Sequence, residues 1–166
     1  MYKKREFVIG AFYHVTSRTN NKIKVFERKL GRKLMLIILQ SAKEKYNFRL
    51  TNFCVMPTHI HLLIQPKDET KLSDIMHWIK IHSSKAWNFI HGSIDHLWGQ
   101  RYFSRIIKDP QDYDSVMNYI DQNPVKDGLV AAPEDWEASG VYYKSQGLTD
   151  LVDYSNEDSQ PNVILL

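Results

Sequence analysis

Cys54 is the only cysteine in the chain, so no disulfide can close within it, and a reducing cytoplasm is the expected compartment. Long apolar runs are missing as well. The longest, Leu34 to Leu39, is far too short to span a bilayer. The start, Met1-Tyr2-Lys3-Lys4-Arg5-Glu6, is basic, but Gly10, His14 and Arg18 interrupt the next stretch before a signal-peptide core can form. No internal repeat or low-complexity linker divides the sequence. A length of 166 residues therefore points to one globular domain, expected over residues 1–154, with 155–166 a flexible tail. A hydrophobic content of 43% with 12% aromatics excludes a disordered chain.

Basic residues are nearly absent from the end of the chain and crowded at its beginning. Residues 1–50 hold 13 Lys/Arg against 3 Asp/Glu, whereas residues 131–166 hold 1 against 7, an asymmetry that the net charge of +3 conceals. A basic front half suits a polyanion such as nucleic acid, whose phosphates attract cations without regard to sequence. For any single lysine, a solvated helix face is the simpler explanation.

The stretch Val55-Met56-Pro57-Thr58-His59-Ile60-His61-Leu62-Leu63-Ile64-Gln65-Pro66 organises the rest. In a strand, His59, His61, Leu63 and Gln65 fall on one face and Ile60, Leu62 and Ile64 on the other, so both imidazoles are presented together. Two histidines so placed on an open sheet face can bind one metal ion and leave positions for other ligands. With seven histidines in the chain, His-x-His also arises by chance.

Ala11 to Arg18 reads as a first strand, with His14 sharing a face with Phe12 and Thr16, which can be the sheet face of His59 and His61; a structural histidine is the simpler reading. Leu30, Leu34, Ile37, Ile38 and Ala42 mark an amphipathic helix from Glu27 to Tyr46. Phe48 to Met56 is a second strand that pairs, through a turn at Pro57-Thr58, with the histidine strand. A second helix covers about 71–91, and Gln100 to Lys108 is a fourth strand, with Arg101 and Arg105 on one side. Asp109-Pro110 supplies an N-cap and a proline for a third helix, expected to stop near Asn123 because Pro124 disfavours helical geometry before it. The order β-α-β-β-α-β followed by a helix is the split βαβ, ferredoxin-like α+β arrangement: a four-stranded antiparallel sheet with helices on one face. The other face is expected to be open.

Tyr13-His14-Val15-Thr16, the His59-Ile60-His61 element, Trp98-Gly99-Gln100-Arg101-Tyr102-Phe103 and Tyr119-Ile120-Asp121-Gln122-Asn123-Pro124-Val125-Lys126 together resemble the single-tyrosine HUH transposases of the insertion sequence 200-like superfamily. Among these, the likeness is greatest to the REP-associated tyrosine transposases, and it covers about residues 10–140. The resemblance implies a ferredoxin-like enzyme that cuts and rejoins single-stranded DNA at hairpin-bearing ends, REP-like or transposon-end. It implies Tyr119 as the nucleophile forming a 5′-phosphotyrosine link, with His59, His61 and Asn123 holding Mg²⁺ or Mn²⁺. Some insertion-sequence relatives carry glutamine or an acid at the position of Asn123. Tyr119 and Asn123, four apart, share a helix face. Tyr113, six residues earlier, is the rival tyrosine and lacks an asparagine at i+4.

DNA contacts are expected from Lys22, Lys24, Arg28, Lys80, Lys85, Arg101 and Arg105; for Trp98 a core or rim position is the simpler reading, although in a loop beside Arg101 and Tyr102 it could stack on an unpaired base. The protein is expected to act as a monomer or homodimer without a membrane. Two other classes stay open on the residues alone: an RNA-recognition-like binding sheet without catalysis, and a His-x-His metal hydrolase.

Overall fold

The computed structural model describes residues 7–154. Four strands, β1 (Tyr13–Thr19), β2 (Phe48–Met56), β3 (His59–Pro66) and β4 (Trp98–Ile106), form one antiparallel sheet in the order β2-β3-β1-β4. Helices α1 (Lys29–Lys45) and α2 (Leu72–His91) connect them, and α3 (Pro110–Lys126) and a short α4 (Gly140–Ser145) come after β4. This is the expected ferredoxin-like order. The expected tail, 155–166, lies outside the described residues.

The aliphatic side of β3 makes the main core. Ile60, Leu62 and Ile64 pair with Ser17, Val15 and Tyr13 of β1, and all three isoleucine and leucine side chains are fully buried. Met35, Leu39 and Ala42 of α1 and Ile75, Met76 and Ile79 of α2 close over this side. Burying each such side chain contributes about 1.5–3 kcal/mol, which is what selects the register. The β2–β3 hairpin turns on Pro57 and Thr58, with Met56 opposite His59.

The histidine face is not open, as its polar residues suggested. Helix α3 lies across it against β2 and β3, burying Tyr113, Val116, Ile120, Asn123 and Pro124. The physical reason is visible in β2: Leu50 to Met56 is buried throughout, so the strand is covered on both sides and its sequence does not alternate. Cys54 and Met56, opposite His61 and His59, together with Leu63, give that side an apolar surface for α3.

Helix α3 begins as expected, with the Asp109 carboxylate accepting the Asp112 N–H at 2.8 Å and Pro110 at the first turn. It does not stop at Asn123. It runs on through Pro124 to Lys126, and the burial of Pro124 offsets the hydrogen bond that its missing N–H forgoes. Asn123 donates its side-chain Nδ2–H to the Tyr119 carbonyl at 2.6 Å, reinforcing the turn that the proline weakens.

A pin fixes α3 to β2. Asn52, 1% exposed, donates from Nδ2 to Asp121 Oδ1 at 2.8 Å and accepts the Phe53 N–H on Oδ1 at 2.8 Å. Gly140 packs on this amide, and a Cβ there would run into Asn52 Oδ1. The outer edge of β2 is closed by the later chain: the Val55 N–H donates to Ala138 O, the Trp136 indole to Val55 O, and the Asp153 N–H to Leu50 O. Lys43 and the Leu50 N–H both hold Asp153 Oδ2. Strand β4 forms the opposite edge. No helix among the described residues is long and apolar enough to cross a membrane.

Candidate nucleic-acid-processing site

Strand parity and register place the site. Thr16 of β1 stands opposite both His61 of β3 and Phe103 of β4, while His14 stands opposite Leu63 and Arg105. His14, Thr16, Arg18, His59, His61, Arg101, Phe103 and Arg105 therefore share one face. Because α3 packs mainly over β2 and β3, a cleft of about 570 Å³ remains between the helix and β4. His14, Arg18, His61, Arg101, Phe103 and Tyr119 are among the residues that line it.

His61 is 2% exposed. Its Nδ1 is 3.0 Å from Thr16 Oγ1 and 3.1 Å from His14 Nε2, whereas its Nε2 is buried with no hydrogen-bond partner. The half-buried His59 is similar, its Nδ1 lying 3.1 Å from Thr58 Oγ1. The two rings stand 4.9 Å apart and nearly perpendicular, at 88°. Engagement of Nδ1 fixes each ring and leaves Nε2 as the donor nitrogen, the arrangement in which second partners orient metal-binding imidazoles.

Burial, then the neighbouring His59, His14 and Arg18, push the His61 pKa down to about 3. Burial and Arg105 lower His14 to about 4, against an opposing pull from Asp112. His59 is also lowered, by burial and Arg18, with Asp127 pulling the other way. All three rings are thus neutral near pH 7, with lone pairs available.

The Tyr119 ring is 43% exposed and meets His61 edge-on at 5.4 Å and His14 at 5.8 Å. The Lys126 ammonium sits over its face, 5.2 Å from the ring centre. Tyr113 points elsewhere: it is 5% exposed and packs edge-on to Phe12 at 5.1 Å. Asn123 is 8% exposed, one turn beyond Tyr119, and with Nδ2 given to the Tyr119 carbonyl its Oδ1 takes no hydrogen bond among the described residues. Among the described residues, no three His, Cys, Asp or Glu side chains are grouped to hold a metal ion.

The expected DNA-contacting residues separate into groups. Arg101 and Arg105 line the cleft beside Tyr119, and Arg105 is tied bidentately to Asp112 at 2.7 Å. Lys80 and Lys85 line a second cleft of about 520 Å³ between α2 and the segment leading into β4, where Lys80 donates to Gly99 O. Lys22, Lys24 and Arg28 are exposed between β1 and α1, with Lys24 paired to Glu27.

Trp98 is a correction. It begins β4 instead of lying in a loop, is 7% exposed and donates from Nε1 to Ser83 Oγ at 2.8 Å, so it has no free face for a base. Sequence reasoning put His14 and Thr16 on one strand face but took His14 as structural, and it assigned no role to Thr16, Arg18, Phe103 or Lys126. Parity with His61 across β1 and β4 was the available signal for all but Lys126.

The family model described as "Transposase IS200 like" matches residues 7–123. A putative REP-associated tyrosine transposase of Haemophilus influenzae is 25% identical over 149 residues, which is 84% of each chain. The REP-associated tyrosine transposase of Escherichia coli K12 is 29% identical over 94 residues, 55% of this chain and 53% of that one. Among solved structures, a REP-associated tyrosine transposase bound to a REP hairpin superposes with a TM-score of 0.75 at 21% identity, covering 94% of this chain and 92% of that one. A putative transposase from Deinococcus radiodurans gives 0.53 at 23% identity, covering 74% and 97%. These two likenesses bear on the fold. The family match takes in all four strands and α3 as far as Asn123, and the chain accordingly belongs to the IS200-like transposase family.

Proposed function

We propose that this protein is a metal-dependent single-strand DNA endonuclease and strand transferase that acts at hairpin-bearing DNA through Tyr119. The observation that carries the reading is the exposed Tyr119 ring against His61, whose Nε2 is buried without a partner. A buried nitrogen left unpaired costs about 1–3 kcal/mol, and an ion on the cleft side relieves that cost.

The donor set fits a hard divalent ion. His59 and His61 offer Nε2, Asn123 offers Oδ1, and two imidazoles with one amide oxygen leave room for phosphate oxygens and water, which suits Mg²⁺ or Mn²⁺. When bound there, the ion supplies Lewis-acid polarisation of the phosphate and offsets the charge that develops on it. The chain's own groups do the rest. Thr16 and His14 hold the His61 ring, Lys126 holds the Tyr119 ring, and Arg18 and Arg101 draw the phosphate backbone into the cleft.

Tyr119 Oη, losing its proton, bonds to phosphorus while the P–O3′ bond breaks. The departing O3′ takes up a proton and leaves as a 3′-hydroxyl, and the 5′ side stays esterified to the tyrosine. Attack by a 3′-hydroxyl on this ester reverses the step and joins strands, so the energy of the phosphodiester is retained. The substrate is single-stranded DNA beside a hairpin, REP-like or transposon-end, and the cytoplasm is the proposed compartment.

The test is incubation with end-labelled, hairpin-bearing single-stranded DNA and Mg²⁺, followed by denaturing electrophoresis. A protein–DNA adduct is expected from the wild type and from Tyr113→Phe, and none from Tyr119→Phe. An adduct that persists in Tyr119→Phe and maps by peptide analysis to Tyr113 overturns the assignment.

A further inference from the structure

We propose that Phe103 is a stacking platform for one unpaired nucleobase of the strand held against Tyr119, and that this stack selects single-stranded over paired DNA. The inference rests on the cleft being a DNA-processing site and adds a specificity residue to it.

Phe103 is 59% exposed in the middle of β4, within the cleft that Tyr119 and His61 also line. A phenylalanine at the centre of a strand normally loses most of its surface to a covering layer. Here α3 reaches the face only as far as the wall formed by Val116 and Tyr119, so the ring is left without a lid. Its position is set by the ladder. Thr16 stands directly between His61 and Phe103 in neighbouring strands, which puts the Phe103 and His61 backbones about 10 Å apart at roughly 4.8 Å per strand. A phosphate at the Tyr119 and His61 side then has a base of its own or an adjacent nucleotide within reach of the Phe103 ring.

The surroundings indicate which ligand fits. Arg101 and Arg105 lie two residues to either side on the same strand face, about 7 Å along the strand in each direction. Arg105 is held in a bidentate pair with Asp112, while the exposed Arg18 adds positive charge on the same face. Arg18 is close enough to lower both His59 and His61. An apolar protein partner needs a continuous apolar patch. One aromatic ring among arginines instead matches a polymer that alternates flat π faces with anionic links, which is how single-stranded nucleic acid is held without sequence readout. A base inside a duplex has both faces covered by its neighbours, and offering one to Phe103 would require unstacking. Tyr102, the adjacent aromatic, points to the opposite side of the sheet and cannot substitute.

The experiment uses the full-length protein and an unstructured oligonucleotide carrying 2-aminopurine at successive positions, read by fluorescence quenching and by titration. Wild type is expected to quench strongly at one position near the cleavage point. Phe103→Ala should abolish that quench, weaken single-strand binding about 5- to 150-fold and reduce the preference over duplex. Phe103→Trp should restore all three readouts, and Phe103→Leu should restore none. Exposure of the ring means that all three variants should fold, which thermal melting checks. Binding by Phe103→Ala equal to wild type, or rescue by leucine, overturns the stack. The adduct assay separates this result from the proposed activity. If wild type forms an adduct and Phe103→Ala forms it equally well at subsaturating DNA, the stack falls and the cleavage reading stands. If a Phe103-dependent quench occurs but wild type yields no adduct, the cleavage reading falls and the stack stands.

Discussion

Replacing Asn52 by alanine tests whether the chemistry depends on the pin between α3 and β2. The variant removes a hydrogen bond to the Asp121 carboxylate and leaves the Phe53 N–H without its acceptor, at a site where Asn52 is 1% and Phe53 0% exposed. A bond to a charged partner contributes about 1.5–3 kcal/mol, and an orphaned buried donor costs about 1–3 kcal/mol. The two losses share one side chain and do not simply add, so about 3 kcal/mol is expected in urea unfolding followed by tryptophan fluorescence. Burial raises the Asp121 carboxyl above its usual range, and the Asn52 amide pulls it partly back. A carboxyl raised in the folded state favours folding below the ordinary carboxylate range and opposes it as pH rises through the folded value. Without Asn52 the carboxyl rises further, so the deficit of the variant should grow from acid to neutral pH. Tyr119 lies two residues from Asp121, so the rate of adduct formation should fall at least about tenfold while salt-sensitive DNA binding persists. A variant within about 0.5 kcal/mol of wild type, with an unchanged adduct rate, would refute the reasoning.

The same geometry sets other outcomes. His61→Ala should abolish the adduct and also cost about 1–3 kcal/mol, because its ring is buried and bonded to Thr16 and His14; His59→Ala should abolish the adduct with a smaller change in melting temperature. Chelation should stop adduct formation and added Mg²⁺ or Mn²⁺ restore it, with Asn123→Ala partly rescued by high Mn²⁺; a full rate in EDTA would count against the donor set. The Arg105 guanidinium holds the Asp112 carboxyl below its usual value, so the pair stabilises the fold above the ordinary carboxylate range and is lost as pH falls through the folded value. Asp112→Asn should flatten that acid limb at a neutral-pH cost of about 1 kcal/mol at most, since Arg105 is 38% exposed and screened. DNA binding should weaken steeply with salt, and charge reversal at Lys85 should lower affinity more than reversal at Lys24, which Glu27 already neutralises; equal effects at the two would argue against distinct contact regions.

The strand order, the hairpin at Pro57-Thr58 and the start of α3 were legible because each rests on a local signal: alternation, a short break, or an N-cap with proline next to it. The cover over the histidine face was not. His59 and His61 alternate with Ile60 and Leu62 as though facing water, yet Cys54, Met56 and Leu63 make that side apolar enough for a helix 50 residues downstream to settle on it. Pro124 misled for a related reason. Its penalty is local and readable, whereas the burial that offsets it is tertiary. Trp98 looked like a loop residue between Gly92 and Gly99, and only the Ser83 hydroxyl on α2 explains why it turns inward. His14 was placed on the correct face by parity alone, but a contact with His61 across 47 residues has no trace in the sequence near it.

The two-residue turn between Met56 and His59 also bears on how this chain tolerates insertions and deletions. Side chains on β3 alternate between a site and a core, so a single residue gained or lost that shifts the β3 register by one exchanges the two populations at once. Ile60, Leu62 and Ile64 would then face the cleft, while both imidazoles would enter the largely apolar layer beneath α1 and α2. A change of two residues absorbed in the turn keeps the parity and should be far less damaging. A library of length variants at Pro57-Thr58 should accordingly recover function in an odd–even pattern, with the facing of the histidine pair set by the turn rather than by the histidines themselves.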